Sequence, residues 1–248
     1  LITLKGKFAT AVPQRELQSD KIWHHGYYRF YPRFIEPFCN IQFNWAMLEI
    51  GIDQSKSLSL WKNYFGDKCF IFGIDIDISA ETDFYKIFKA DQSNKQQLIS
   101  VSKQIKQSKR PICFIIDDGS HIPEHQLLTF NLFFIDLLEY GGTYIIEDIE
   151  TSYWSKGSLY GYPTQYGLHH KKSIIEAFKP LVDDINSEFL SEQAKQIQFE
   201  TINNQFPPNV RSLIGTITFG QNCIIITKKT KEDIRLYNDR EYRFRKNL

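Results

Sequence analysis

The sequence predicts an α/β fold in which a mostly parallel sheet of seven strands is flanked by helices and ends in an antiparallel hairpin. Three observations carry this. From Trp45 onward, short apolar runs alternate with longer amphipathic segments, the pattern of successive β-α-β units. The runs at 112–116 and 144–146 are apolar nearly throughout, as strands covered on both faces must be. Apolar runs at 213–219 and 223–227 flank Gly220-Gln221-Asn222, a short connection that suits an antiparallel pair.

The parallel strands are read at 45–50, 69–74, 85–90, 112–116 and 143–149, with helices at 57–65, 94–107 and 124–140 between them. Gly141-Gly142 reads as the stop of the third helix. Residues 151–165, rich in Tyr, Gly and Ser, read as a loop, and 166–200 return to helical spacing. Upstream, 21–38 carry many His, Tyr, Phe, Arg and Pro residues with no clean period, and are expected to form irregular or short helical structure covering a site. The expected organisation is an N-terminal covering segment over 1–40, an α/β domain over 41–230, and a charged tail or helix over 231–248.

Composition narrows the function classes. With 248 residues, 42% hydrophobic and 15% aromatic, the chain can bury the core of one large domain. Thirty Lys and Arg against 29 Asp and Glu give a formal charge of +1, a field that steers neither nucleic acid nor a membrane surface. The cysteines Cys39, Cys69, Cys113 and Cys223 are far apart with no C-x-x-C pair, and three lie in strand-like runs, so reduced core thiols are expected. No apolar stretch approaches the ~18 residues of a spanning helix, and the first twenty residues lack a signal-peptide pattern, so a cytoplasmic protein is expected. The chain opens at Leu1, which leaves both trimming and a domain cut from a larger polypeptide open.

In open parallel sheets ligands bind beyond the carboxyl ends of the strands, and here those ends are acidic or glycine. They read Glu49-Ile50-Gly51, Gly73-Ile74-Asp75, Asp91-Gln92-Ser93, Asp117-Asp118-Gly119-Ser120-His121 and Glu147-Asp148. A single glycine at Gly51 departs from the three of a dinucleotide fingerprint, which weakens a nicotinamide reading. Gly51 would let the backbone approach a ligand closely, and Asp75 stands where a ribose diol is held, although Gly and Asp are also ordinary turn residues. Asp118, Glu147 and Asp148 form the strongest constellation. Carboxylates at neighbouring strand ends converge on one point and repel one another unless a cation sits between them. Hard oxygen donors favour Mg²⁺, with Mn²⁺ or Ca²⁺ tolerated. His121, three residues after Asp118, would stand beside that cation as a proton acceptor.

The words Ile115-Ile116-Asp117-Asp118-Gly119-Ser120-His121, then Tyr140-Gly141-Gly142-Thr143-Tyr144-Ile145-Ile146-Glu147-Asp148-Ile149 and Thr151-Ser152-Tyr153-Trp154, resemble the metal-dependent sugar O-methyltransferases of macrolide biosynthesis, the mycinamicin and macrocin type, to which cephalosporin hydroxylase-like proteins are related. Ser19-Asp20-Lys21, His25, Tyr27 and Tyr31 are similar to that family's segment before the sheet. The resemblance runs from about residue 19 to 154. It implies the Rossmann-like fold of S-adenosylmethionine (SAM) dependent methyltransferases, with SAM and a divalent metal as cofactors and a sugar or glycoside as acceptor. It also implies Asp118, Glu147 and Asp148 as metal ligands, and His121, with Asp118, as the catalytic pair. Asp20, Lys21, Glu49, Gly51, Asp75, Asp91, Gln92 and Asp117 would form the cofactor site, with Asp20 and Lys21 near the methionine end. Departures touch the acceptor pocket and the cofactor loop: Glu150 stands where family members often carry a histidine, Gly51-Ile52-Asp53-Gln54 replaces a more glycine-rich turn, and Ile22-Trp23-His24 precedes His25 in place of the usual Trp-Gly pair.

The aromatic run Tyr153, Trp154, Tyr160, Tyr162 and Tyr166 suits either the apolar side of a sugar ring or packing of a loop on the core. His169-His170-Lys171-Lys172 reads as a solvated helix start. The expected activity is SAM-dependent methylation of a sugar hydroxyl, assisted by the metal and a histidine base. Methylation of a catechol or other small diol, or a non-catalytic SAM-binding module of a larger glycan-modifying protein, are the alternatives. No nucleic-acid partner and no membrane insertion are expected, and a homo-oligomer is compatible with the sequence.

Overall fold

The computed structural model describes residues 19–53, 55–202 and 205–236. The first eighteen residues and most of the charged tail, 237–248, lie outside the described residues. Strands β1 (Trp45–Ile50), β2 (Cys69–Asp75), β3 (Ala80–Glu81), β4 (Tyr85–Lys89), β5 (Ile112–Asp117), β6 (Leu138–Glu147), β9 (Ile214–Gly220) and β10 (Cys223–Lys228) form one eight-stranded sheet in the order β3-β4-β2-β1-β5-β6-β10-β9. Pairing from β4 through β6 is parallel, and β10 and β9 return antiparallel, so the expected plan of a parallel sheet closed by a hairpin is the one observed. The eighth strand, β3, is two exposed residues paired antiparallel to β4, and carries no apolar pattern that a sequence reading could detect.

Helices cover both faces. α3 (Lys56–Phe65) follows β1, α4 (Lys95–Gln107) follows β4, and α5 (Pro123–Asp136) follows β5. Strand residues alternate between the two cores they separate: Ala46, Leu48 and Ile50 of β1 pack with Phe72, Phe88, Phe130 and Phe134, whereas Trp45 and Met47 pack with Trp61, Phe65, Phe114 and Ile225. The second core is completed by the segment before the sheet. Helix α1 (Asp20–Trp23), a 3-10 turn at Tyr27–Arg29 and helix α2 (Pro32–Ile35) deliver Ile22, Tyr27, Tyr31 and Ile35 into it. The segment over 20–35 is thus made of short helices whose buried side chains follow no single period.

The third helix is shorter than the sequence suggested. It ends at Asp136, and Gly141-Gly142 lies inside β6. The pairing of β6 with β5 jumps from Ile112↔Leu138 to Phe114↔Thr143 across these glycines. A Cβ on Gly142 would come within 2.9 Å of the Cys113 carbonyl oxygen, and Gly141 has φ +79°. The pair therefore makes a strand irregularity, a position that favours glycine as strongly as a helix end does. The expected loop over 151–165 contains a 3-10 turn (Ile149–Tyr153) and a small hairpin, β7 (Ser158–Leu159) with β8 (Tyr162–Pro163). Helices α6 (Ile174–Phe178), α7 (Leu181–Ile185), α8 (Glu192–Ile202) and α9 (Pro208–Arg211) lead to β9. None of the four cysteines is in a disulfide, and Cys69, Cys113 and Cys223 are buried. Among the described residues no helix is long and apolar enough to cross a membrane.

Candidate active site

The chain leaves β1 toward β2 and β4 on one side and returns to β5 on the other, which places a topological switch point between the carboxyl ends of β1 and β5. A cavity of about 740 Å³ opens there. The two strands' loops touch at Gly51 (φ +83°), where a Cβ would fall 2.0 Å from the carbonyl oxygen of Asp118. Glycine is therefore required by the approach of two loops as well as by the backbone angle.

The expected cofactor residues divide into two groups. Asp20, Gly51, Asp75, Asp91 and Gln92 line the cavity, whereas Lys21, Glu49 and Asp117 do not. Asp75 holds the turns around it: Oδ2 accepts from the Ile52 and Asp53 amides at 3.1 and 3.2 Å, and Oδ1 from those of Asp77 and Ile78 at 2.9 and 3.2 Å. Gln92 clamps the loop after β5, donating to both Asp117 oxygens at 2.8 and 2.9 Å and accepting from the Ser120 amide at 2.8 Å. Asp117 is fully buried, and burial pushes its carboxyl up to about 6 against the opposing hydrogen bonds from Thr129 and Gln92. Glu49 is also fully buried, with Ser57 donating at 2.8 Å and Lys21 3.6 Å away, and burial lifts it to about 7.

Beside the cavity, Asp118, His121 and Asp148 offer ligand atoms that all lie within 4.8 Å of one another. The parallel pairing of β5 with β6 brings the two loops together. His121 (φ +57°) and Asp148 (φ +50°) both hold left-handed backbones, a conformation that costs energy for residues of this kind and clusters at functional sites. Thr151 donates to the His121 carbonyl at 2.6 Å, and Tyr27 and Asn222 donate to Asp148 Oδ1 at 2.7 and 2.9 Å. Asp148 Oδ2 faces His121 Nε2 at 3.9 Å, and His121 Nδ1 is buried without a hydrogen-bond partner. Burial first, then the neighbouring Asp118, raise the Asp148 carboxyl above its ordinary range.

Glu147, the residue before Asp148, falls outside this trio but meets Asp118 on a shared lysine. It is buried, accepts from Tyr31 and pairs with the Lys21 ammonium at 2.5 Å, while Lys21 also pairs with Asp118. Burial alone would depress Lys21, yet Asp118, Glu147 and Glu49 outweigh it and hold the ammonium charged well above its ordinary range. Three carboxylates, Glu49, Asp118 and Glu147, thus share one lysine, and Asp148 adds a fourth acidic group beside Asp118. That excess of acidic groups, with two hard oxygen donors and an imidazole converging on one point, fits a divalent cation. Asn222, in the turn of the β9-β10 hairpin, and the ion pairs of Lys21 were not readable in advance: one is an ordinary turn residue, the other spans 126 positions of sequence to Glu147.

Over the cavity sits the β7-β8 hairpin. Tyr162 meets the His125 ring edge-on at 4.6 Å, and His125 Nδ1 lies 2.8 Å from Ser120 Oγ. Tyr160 lies 6.3 Å from His121 between ring centroids. His169 is a surface residue 3.3 Å from Glu176, apart from the cavity.

No protein-family model matches the chain. It is 28% identical over 223 residues to the 8-demethyl-8-alpha-L-rhamnosyl tetracenomycin-C 2'-O-methyltransferase of Streptomyces olivaceus, covering 85% of this chain and 52% of that protein. It is 33% identical over 150 residues to the L-olivosyl-oleandolide 3-O-methyltransferase of Streptomyces antibioticus, covering 57% of this chain and 37% of that protein. The chain therefore spans about half or less of the length of these relatives. Among solved structures, the MycE methyltransferase from the mycinamycin biosynthetic pathway, in complex with Mg and SAH, superposes with a TM-score of 0.72 at 23% identity, over 90% of this chain and 55% of that one. The chain is a homologue of the sugar O-methyltransferases of antibiotic pathways, built on the fold of the SAM-dependent methyltransferases.

Proposed function

We propose that the chain methylates a hydroxyl group of a sugar or glycoside, with SAM as donor and a divalent cation, Mg²⁺ or Mn²⁺, as helper. The observation that carries this reading is the convergence of Asp118, His121 and Asp148 at the edge of a 740 Å³ cavity on the sheet's switch point. Its homologues are named for transfer to sugar hydroxyls.

When bound, SAM supplies an electrophilic methyl on a sulfonium, and the cation lowers the pKa of a hydroxyl that binds it. The chain's own residues do the rest. Asp118 and Asp148 would hold the cation. His121, held by its left-handed backbone and the Thr151 hydrogen bond, would take the proton of the acceptor hydroxyl as that oxygen accepts the methyl group and SAH leaves. Tyr27 and Asn222 fix Asp148 by occupying one of its oxygens and leaving the other toward His121. Gly51 lets the loops after β1 and β5 close on each other, and the clamp of Gln92 on Asp117 and Ser120 holds the loop that carries Asp118 and His121.

The test is methyl transfer from labelled SAM to a panel of rhamnosides, other glycosides and catechols, with and without a chelator. Transfer to glycosides, lost on chelation and restored by Mg²⁺ or Mn²⁺, is expected. His121→Ala should lower turnover by about 10²- to 10⁴-fold, the worth of a positioned base, while leaving SAH affinity within about twofold. Transfer to catechols alone, SAM binding without transfer, or full turnover with His121→Ala would overturn the reading.

A further inference from the structure

The β7-β8 hairpin breaks a local rule at its tip. Ser158↔Pro163 and Leu159↔Tyr162 are the paired residues, so its turn is Tyr160-Gly161, and both are left-handed, with φ +50° and +81°. A two-residue turn of this kind prefers Asn, Asp or Gly at its first position, because short side chains tolerate that backbone, and a tyrosine is strained there. Packing does not compensate for the strain: Tyr160 is 69% exposed.

What the ring does face is the site. Tyr160 lines the cavity and stands 6.3 Å from the His121 ring. The arm that carries it is anchored. Tyr162, across the turn, is fixed against His125, and the Thr164 amide donates to the Gly157 carbonyl at 3.0 Å. A broken local preference with no gain in the packed structure is the mark of a functional position.

We propose that Tyr160 is the platform on which the acceptor's sugar ring stacks beside His121, and so the specificity-determining residue of the acceptor site. This rests on the sugar-acceptor reading above. The C–H face of a pyranose matches an exposed aromatic ring, and the ring's place next to the base puts the stacked sugar where its hydroxyl loses a proton.

The experiment compares Tyr160→Asn, which suits the turn, and Tyr160→Phe, which keeps the ring, with the wild type. Measured are the acceptor KM, kcat, SAH affinity by calorimetry and the melting temperature. For Tyr160→Asn a rise in acceptor KM of roughly tenfold is expected, the worth of one aromatic contact, with kcat and SAH affinity within about twofold and a melting temperature no lower than that of the wild type. Tyr160→Phe should retain the wild-type KM. An unchanged acceptor KM in Tyr160→Asn overturns the inference alone. A loss of SAH affinity as large as the loss for the acceptor also overturns it, and assigns the ring to the cofactor. A wild type inactive on every glycoside removes the sugar-acceptor reading itself, and this inference with it.

Discussion

Asp117 shows how a single residue can be legible as to place and not as to role. It stands beside Asp118 in the sequence, and the strand-end rule draws both toward the ligand; one residue of β pleat, however, sends Asp117 into the sheet's interior, where it is fully buried between Gln92 and Thr129. Burial raises its carboxyl from 3.8 to about 6. A carboxyl whose folded-state pKa lies above its unfolded value contributes stability that is complete below the unfolded pKa, and this is lost as pH rises through the folded one. A difference of roughly two pH units corresponds to about 3 kcal/mol. Asp117→Asn removes that dependence, so its stability relative to wild type should shift in its favour by about 3 kcal/mol between about pH 4 and about pH 8. Urea denaturation of the metal-free protein across this range checks it, and parallel pH profiles would exclude the burial argument. Glu147, adjacent to Asp148 in sequence, is likewise legible as to place and not as to role: it is buried and pairs with Lys21.

At the scale of elements, the parallel strands were legible because a short, continuous apolar run closed by an acid has little place outside a buried strand. What was not legible depends on contacts between elements. The Gly141-Gly142 irregularity looks like a helix stop because both need glycine, and the two-residue β3 has no hydrophobic signal. The segment before the sheet is the clearest case. Lys21 sits on α1 and is 1% exposed, and its ammonium fastens that helix to the ends of β1, β5 and β6 through Glu49, Asp118 and Glu147. Removing one partner of a buried ion pair typically costs about 3–5 kcal/mol, because the other charge is left unpaired. Lys21→Met should destabilise the protein by that amount near pH 8 and by clearly less near pH 5, where the raised carboxyls of Glu49 and Glu147 take up protons and the stranded charge shrinks. Equal losses at both pH values, by chemical denaturation, would show that Lys21 acts through packing of its stem alone.

At the scale of the whole molecule, the formal charge of +1 conceals the charge that matters. The three carboxylates around Lys21, Glu49, Asp118 and Glu147, come from segments far apart in sequence, and no composition reveals that they meet. The fold brings them together at the cost of concentrating like charge, and a divalent cation between Asp118 and Asp148 would relieve that cost only in the folded state. Binding to the folded state alone stabilises it by mass action, by about 2.7 kcal/mol when the free ion is at a hundred times its dissociation constant. At roughly 2–4 °C per kcal/mol for a chain of about this size, saturating Mg²⁺ or Mn²⁺ should raise the melting temperature by roughly 5–10 °C over the chelated protein. Asp148→Asn should abolish most of that rise, because it removes one ligand charge and leaves the fold's two cores untouched. Scanning calorimetry of both proteins, with chelator and with each ion, separates a bound cation from general salt screening: screening would shift the two proteins alike, and an equal shift would remove the metal centre from the site.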